Sequence, residues 1–362
     1  MNDIISSTNI TVKPVNESRI NEVDFDNLIF GRKFSDHMFE MDYVDGEWKK
    51  PVVKPYGAFE VTPAMNVFHY GQAVFEGMKA FYVDENTVHI FRPETHFERF
   101  NNSCRRMCIR ETDYETFIEA LETLIKMDSQ WIPKKSGTAL YIRPFIFASD
   151  DLLAARSSDK FTYQIITSPV GAYYAEGFNP VSLTTTENYV RAVKGGTGEA
   201  KAAGNYAGSF LPAQKAKEKG YTQVLWLDAK EHKYIEEVGT MNIHFLIGDT
   251  LITPALTGSI LPGVTRRSVV ALAKEWGLNV EERRITIDEV FKAYEDGSLK
   301  EIFGSGTAAV VSPVGLIDHK GKTIELDREK PGEFAQKCFD KITDIQYGRA
   351  EDKFGWIHPV TI

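Results

Sequence analysis

Cysteine is scarce in this chain. Cys104, Cys108 and Cys338 are the whole set, and an odd, sparse count does not make a disulfide framework. Cys104 and Cys108 lie four apart in F-N-N-S-C-R-R-M-C-I, on one face of an expected helix. They read as two buried structural thiols, since no nearby histidine pair completes a metal site. A reducing cytoplasm is the expected compartment. No apolar run reaches membrane-spanning length, and the first residues, MNDIISSTNITVKP, hold neither a basic nor an apolar leader region, so no secretory signal is expected. A basic excess is missing too. The formal net charge of -9 argues against a general nucleic-acid or anionic-membrane surface. Internal repeats and low-complexity segments are absent from the sequence.

What is present is an ordinary globular composition, 43% hydrophobic and 26% charged, in a chain of 362 residues that can hold two domains. The linker-like G-A-Y-Y-A-E-G-F-N-P suggests a small N-terminal domain over 1–170, a linker over 171–181 and a larger domain over 182–362. Leu28 to Tyr43 reads as strands broken at Gly31. Asn66 to Phe81 reads as a strand-like start, then an apolar helical turn bracketed by Gly71 and Gly77. Helices are expected over 93–107, 114–131, 208–219, 265–276 and 331–347, and from Ile287 to Tyr294. The arginines of the first of these, Arg92, Arg99, Arg105 and Arg106, read mostly as a solvated face, although one could hold an anion. Strands are expected over 88–91, 139–148, 161–169, 181–186, 222–227 and 283–287, with a hairpin-like pair around Gly248-Asp249 and a strand over 301–316 carrying a Gly-Ser-Gly-Thr turn. In A-L-Y-I-R-P, Tyr141 and Arg143 alternate with Leu140 and Ile142 and so share a face. Asp150 to Lys160 reads as a polar, mobile loop whose Leu152 and Leu153 suggest packing against something, such as another subunit.

The chemistry centres on K-G-G-T-G-E-A-K-A-A-G-N-Y-A-G-S, Lys194 to Ser209. Lys201 sits among Ala200, Ala202, Ala203 and Gly204, where a flat group could approach the backbone. A desolvated lysine there becomes a nucleophile towards carbonyls; a solvated glycine-rich loop is the plain alternative. The P-loop spacing is absent. Gly304 to Ala309 formally matches a dinucleotide fingerprint, but it runs into Val310-Val311-Ser312-Pro313 rather than opening a helix, so its glycines are expected to turn amides and Thr307 towards an anion. Val264-Thr265, opening a helix, is a second anion site. Two anion sites, a lysine in a small-residue slot and the carboxylate turn E-E-V-G-T-M-N suit one cofactor, pyridoxal phosphate.

The motifs then become specific. The segments L-I-F-G-R-K-F-S-D-H-M (28–38), H-Y-G-Q-A-V-F-E-G-M-K-A (69–80), F-E-R-F-N (97–101), Y-I-R-P (141–144), P-V-G-A-Y (169–173), K-A-A-G-N-Y (201–206), E-V-G-T-M-N (237–242), L-P-G-V-T-R (261–266) and F-G-S-G-T-A (303–308) stand in family order over nearly the whole chain after residue 25. In them the chain resembles a branched-chain aminotransferase of the class IV pyridoxal-phosphate fold. The resemblance implies an α+β protein of two α/β domains, with mixed sheets or a barrel-like sheet and an active site at the domain interface. It implies that Lys201 is the Schiff-base lysine and proton shuttle. Glu237 would pair with the pyridine nitrogen, and Tyr206 would bond the phenolic oxygen. Arg99, the amides of Val264 and Thr265, and Thr307 would hold the phosphate, with Arg191, in the strand before Lys201, beside the cofactor.

Phe30, Phe75, Tyr141 and Thr240 would wall the side-chain pocket; from residues alone Phe30 reads rather as core. The amide of Ala308, with Thr240 and Tyr70, would take the α-carboxylate, and Arg143 would accept glutamate's second carboxylate. Leu153 and Ala155 would reach a partner's pocket, implying a homodimer. The implied reaction is reversible, ping-pong transamination of leucine, isoleucine and valine with 2-oxoglutarate. Two departures stand out. Ala309 and Ser312 occupy positions that some members fill with a redox C-x-x-C, so that thiol switch should be absent. His244 stands where an aromatic ring is usual and reads as a buried core histidine. Another class IV enzyme, such as a D-amino-acid aminotransferase or an aminodeoxychorismate lyase, would share the cofactor residues, but the segments around Phe30, Tyr70 and Tyr141 favour branched-chain substrates. A non-catalytic or nucleotide-binding protein built on glycine loops is the alternative from another class.

Overall fold

The computed structural model describes residues 4–5, 10–171 and 178–362, so most of the expected linker lies outside the described residues. The chain divides into two compact units. Unit 1 comprises Met1–Tyr173, Ala200–Gly204 and Ile345–Ile362; unit 2 comprises Tyr174–Glu199 and Asn205–Asp344. The division is not a single cut, because the Lys201 segment and the C-terminal residues both pair with strands of unit 1.

Unit 1 contains β1 (Ile4–Ile5), β2 (Thr11–Val12), β3 (His37–Val44), β4 (Glu47–Trp48), β5 (Val52–Pro55), β6 (Ala73–Phe75), β7 (Met78–Asp84), β8 (Thr87–Phe91), β9 (Ala139–Ala148) and β10 (Phe161–Val170). They form one mixed sheet in the order β1-β2-β5-β3-β10-β9-β7-β8, with β4 on β3 and β6 on β9. An unexpected last strand, Ile357–Thr361, pairs antiparallel with β8. Helices α1 (Asn66–Tyr70), α2 (Pro93–Arg106) and α3 (Tyr114–Met127) accompany the sheet. The core is built by alternation: Leu140, Ile142 and Ile146 of β9 meet Phe100 and Cys104 of α2 and Phe117, Leu121 and Leu124 of α3. Tyr141 and Arg143 therefore share the opposite face of β9, as their alternation required.

Unit 2 contains β11 (Val181–Thr185), β12 (Gln223–Leu227), β13 (Ile235–Val238), β14 (Met241–Ile247), β15 (Thr250–Thr253), β16 (Asn279–Glu282), β17 (Leu299–Gly306), β18 (Val310–His319) and β19 (Lys322–Glu325). The ladder β13-β12-β11-β18-β17-β14 closes on itself through β13–β14 pairing, a barrel-like ring extended by β15 and β16 and, on β18, by β19. The strands β11, β12 and β18 run parallel, most others antiparallel. Closure removes the edges an open sheet would expose. The helices that follow Lys201 are α4 (Gly204–Ala207), α5 (Phe210–Glu218), α6 (Val264–Glu275), α7 (Ile287–Glu295) and α8 (Glu333–Gln346).

Several local expectations are corrected. Asn66–Tyr70 is helix, not strand; Gly71 ends it at φ 62°, and the residues between Gly71 and Gly77 become β6 because β9 supplies their partners. Residues 28–34 form turns around Gly31 (φ 67°), so only His37–Val44 is strand. The strand expected over 283–287 lies earlier, at Asn279–Glu282, because Thr286 caps α7 by accepting from the Glu289 amide at 3.0 Å. The 301–316 strand is a hairpin whose turn is Thr307–Ala309; Gly304 and Gly306 are within β17, where a Cβ would press on Met241. Both glycines thereby make room for Met241. Cys104 is buried, but Cys108 lies beyond α2 and is exposed.

Candidate active site

The side chains singled out in the sequence fall into two groups, one in each unit. In unit 1, α2 carries His96, Arg99 and Ser103 at spacings of three and four, so one helical face delivers all three to the interior. Arg99 is therefore not part of the solvated face; Arg105 and Arg106 are exposed, as expected. The Arg99 guanidinium donates from Nε and Nη2 to the two oxygens of Glu76, at 2.7 and 2.9 Å. His96 Nδ1 lies 2.8 Å from the same carboxylate. Burial alone would raise the Glu76 carboxyl, but Arg99 and His96 outweigh it and hold it well below the usual carboxylate range. Burial pushes the His96 imidazole down despite Glu76.

Lys201 is placed by its main chain. Its carbonyl accepts from the Phe75 amide at 3.1 Å, and Ala203 donates to Ala73 at 3.0 Å, so residues 201–203 bridge onto β6. The Lys201 amide donates to Ser103 Oγ at 2.9 Å. The ammonium lies 4.7 Å from the centre of the Phe75 ring.

Around Phe75 stands an aromatic wall crossed by a guanidinium. The Arg143 guanidinium lies over Phe75 at 4.6 Å and over Tyr141 at 5.2 Å, and donates to the Tyr141 hydroxyl at 2.9 Å. Phe30 meets Tyr141 edge-on at 4.9 Å; it is half-buried, a wall residue rather than core. Gly77 makes room for Tyr141, since a Cβ there would run into the phenol, with Cζ at 2.9 Å. Lys79 pairs with Tyr141 across β7 and β9 and so points to the same side. It is buried, which pushes its amine down to about 8. Tyr70 is largely exposed, and its hydroxyl donates to the Leu153 carbonyl, while the side chains of Leu153 and Ala155 are exposed.

In unit 2 the adjacent Glu236 and Glu237 hold the loop that precedes α6. Ser259 Oγ donates to Glu236, and the Leu261 amide donates to Glu237 at 2.6 Å. Burial raises the Glu236 carboxyl above its ordinary range. Arg191 Nη2 lies 3.2 Å from Glu237 and also donates to the carbonyls of Gly198 and Ser259. Arg191 is in a loop, not in a strand, because β11 ends at Thr185. Asn242 closes the arrangement by donating to the Leu261 carbonyl at 2.9 Å, and a Cβ at Gly263 would collide with its side chain. The loop therefore enters α6 through Gly263, which provides no side-chain cap, and the first amides of a twelve-residue helix, at Val264 and Thr265, have no intrahelical acceptor. Thr307 and Ala308 occupy the half-buried β17–β18 turn, closed by Val310 at φ 62°, a left-handed conformation costly for a β-branched residue. Thr240 lies exposed in the β13–β14 turn, and Tyr206 is half-buried in α4.

A match to the family described as Amino-transferase class IV covers residues 73–317. The chain belongs to the class IV aminotransferases. It is 52% identical over 334 residues to branched-chain-amino-acid aminotransferase 2 of Bacillus subtilis (strain 168), covering 92% of each chain. Its fold is similar to that of branched-chain aminotransferase from the archaeon Thermoproteus uzoniensis, solved with norvaline: the TM-score is 0.73 at 26% identity, covering 89% of this chain and 99% of that one. It is also similar in fold to a T.th. branched-chain amino acid aminotransferase complexed with N-(5'-phosphopyridoxyl)-L-glutamate, with TM-score 0.70, 23% identity and coverage of 90% and 99%.

For a class IV aminotransferase, sequence reading passed over Glu76, Lys79, Ser103, Asn242 and Ser259. Glu76, Lys79 and Asn242 lie inside quoted motifs, so their neighbours could have flagged them. Ser103 has only its place one helical turn after Arg99 as a signal. Among the described residues no helix is long and apolar enough to cross a membrane, and no group of three His, Cys, Asp or Glu side chains is arranged to hold a metal.

Proposed function

We propose that this aminotransferase moves the amino group of leucine, isoleucine and valine reversibly to 2-oxoglutarate in two successive half-reactions, with pyridoxal 5'-phosphate as cofactor. The observation that carries the substrate class is the wall of Phe30, Phe75 and Tyr141 crossed by the guanidinium of Arg143. Aromatic faces suit an aliphatic side chain, and the guanidinium suits the second carboxylate of glutamate. The names of the similar proteins from Bacillus subtilis and Thermoproteus uzoniensis support the same reading.

The residues present fit the cofactor. The uncapped amides at Val264 and Thr265 suit a phosphate. Arg191 Nε is buried without a hydrogen-bond partner among the described residues, a donor suited to an acceptor on a bound group. Thr307 and Arg99 would add to the phosphate's ligands. Lys201 would hold the group covalently through its amine. Glu237, paired with Arg191 at 3.2 Å, would partner the ring nitrogen, and Tyr206 the phenolic oxygen. Once bound, the cofactor supplies an electron-withdrawing ring that acidifies the substrate Cα–H. Lys201 Nζ would then be the base that takes up and gives back the substrate's Cα proton. Thr240, Tyr70 and the Ala308 amide hold the α-carboxylate. The protein works as a cytoplasmic homodimer, in which Leu153 and Ala155, both exposed, meet the partner; the 63% exposure of the apolar Leu153 supports this.

The test is a single half-reaction. Pyridoxal-phosphate-loaded protein is mixed with L-isoleucine, without acceptor, and its visible band is followed; D-alanine is the control. Loss of the band with isoleucine alone is expected. Loss with D-alanine alone would sink the substrate class, and a loaded protein without a band would sink the cofactor.

A further inference from the structure

We propose that Ser103 is a positioning residue for Lys201, holding the lysine's peptide so that its side chain projects along the Phe75 ring. This role rests on the cofactor reading above.

Ser103 is fully buried on α2, one turn after Arg99. A helical serine commonly turns its hydroxyl back to the carbonyl four residues earlier, and this one donates to the Arg99 carbonyl at 2.9 Å. That bond spends the hydroxyl's only proton and leaves the oxygen as an acceptor. The oxygen accepts from the Lys201 amide at 2.9 Å, across 98 residues of chain. On the β6 side, the Lys201 carbonyl takes the Phe75 amide at 3.1 Å. Ser103 supplies the other side. With carbonyl and amide both fixed, the two peptide planes flanking the Lys201 Cα are set, and so is the direction of Cα–Cβ. The ammonium accordingly arrives 4.7 Å from the Phe75 ring centre.

The same two elements are tied a second time. Arg99 on α2 grips Glu76, the residue after Phe75, with bonds of 2.7 and 2.9 Å. Arg99 and Ser103 thus clamp one helix face to Phe75-Glu76 and to Lys201 together. A lysine that must hold a cofactor and then reach a proton at its Cα gains from a peptide that does not swing, because small misplacements of a reacting group cost large factors in rate.

The experiment compares wild type with Ser103→Ala, Ser103→Thr and Ser103→Val. Each protein is stripped of cofactor and remixed with pyridoxal phosphate. The readouts are the rate of appearance of the visible band, the pH midpoint of that band, the position of the borohydride-trapped adduct by peptide mass, and the thermal midpoint of the stripped protein. Ser103→Ala is expected to slow band formation about tenfold and to move the pH midpoint, and to lower the stripped protein's thermal midpoint by a few degrees as well, because a buried amide loses its acceptor. Ser103→Thr restores rate and midpoint; Ser103→Val, of the same shape without the hydroxyl, does not. A purely structural serine would lower the thermal midpoint and leave rate and pH midpoint alone, which overturns the role. Equal behaviour of the Thr and Val variants overturns it as well, and decides the matter if the Ala variant fails to fold. A wild type that forms no band overturns the cofactor reading and this role together. A normal wild type with an indistinguishable Ser103→Ala overturns this role alone.

Discussion

Glu76 and Arg99 are joined by two charge-assisted hydrogen bonds in a place closed to solvent, with Glu76 at 0% and Arg99 at 5% exposure. A buried ion pair adds little over an apolar pair, but removing one partner strands the other charge. Glu76→Gln should therefore destabilise the protein by about 3–5 kcal/mol. Urea unfolding of the variant checks this, and Glu76→Gln with Arg99→Met should recover part of the loss. If the single variant unfolds like wild type, the pair does not hold α2 to β6.

Arg143 lies over both the Phe75 and the Tyr141 rings. Arg143→Met should keep the apolar volume and remove the partner proposed for the second carboxylate. We expect kcat/KM for glutamate to fall about a hundredfold, the order of a lost charge-assisted bond, while that for isoleucine changes only a few-fold. Steady-state kinetics with each amino donor separates the two, and an equal fall for both would remove Arg143 from substrate selection.

Gly77 gives Tyr141 its place, and a Cβ there would meet the phenol. Gly77→Ala should displace Tyr141 and, with it, the Arg143 bond to its hydroxyl. The expected outcome is a several-fold rise in KM for isoleucine, and a cost of about 1–3 kcal/mol for overpacking. An unchanged KM would mean that Tyr141 is not part of the wall.

His244 is fully buried, stacks on Phe303 at 4.9 Å and shares a 2.9 Å hydrogen bond with Ser305. Burial first, and Arg266 second, push its pKa down to about 3. The unfolded chain binds the proton near pH 6.5 and the folded protein only near pH 3, so stability is lost as pH falls between those values. The slope approaches about 1.4 kcal/mol per pH unit for one group. His244→Phe, which keeps the ring, should flatten that part of the stability–pH curve measured by denaturant titration. Parallel curves for the two proteins would place the imidazole in contact with water.

Much of the architecture was legible because it rests on short-range signals. The helix at Tyr114–Met127 follows from apolar residues three and four apart, and the shared face of Tyr141 and Arg143 from alternation along β9. The small residues on both sides of Lys201 are visible in the chain itself, and the resemblance of the motifs in order then proposed it as the reactive lysine. Other features depend on partners far away in sequence. Asn66–Tyr70 and Ala73–Phe75 exchange their expected types because Gly71 turns left-handed and β9 supplies the pairing. Arg99 meets Glu76 only because α2 packs beside β6, and Lys201 meets Ser103 only because residues 201–203 return to that strand. Periodicity reports which face of an element is buried; it does not report what the face is buried against. The sequence by itself determined the elements' patterns and singled out Lys201 as the candidate reactive lysine. Only the tertiary structure decided which buried charges and amides complete one another, because each such bond joins groups that no local spacing relates.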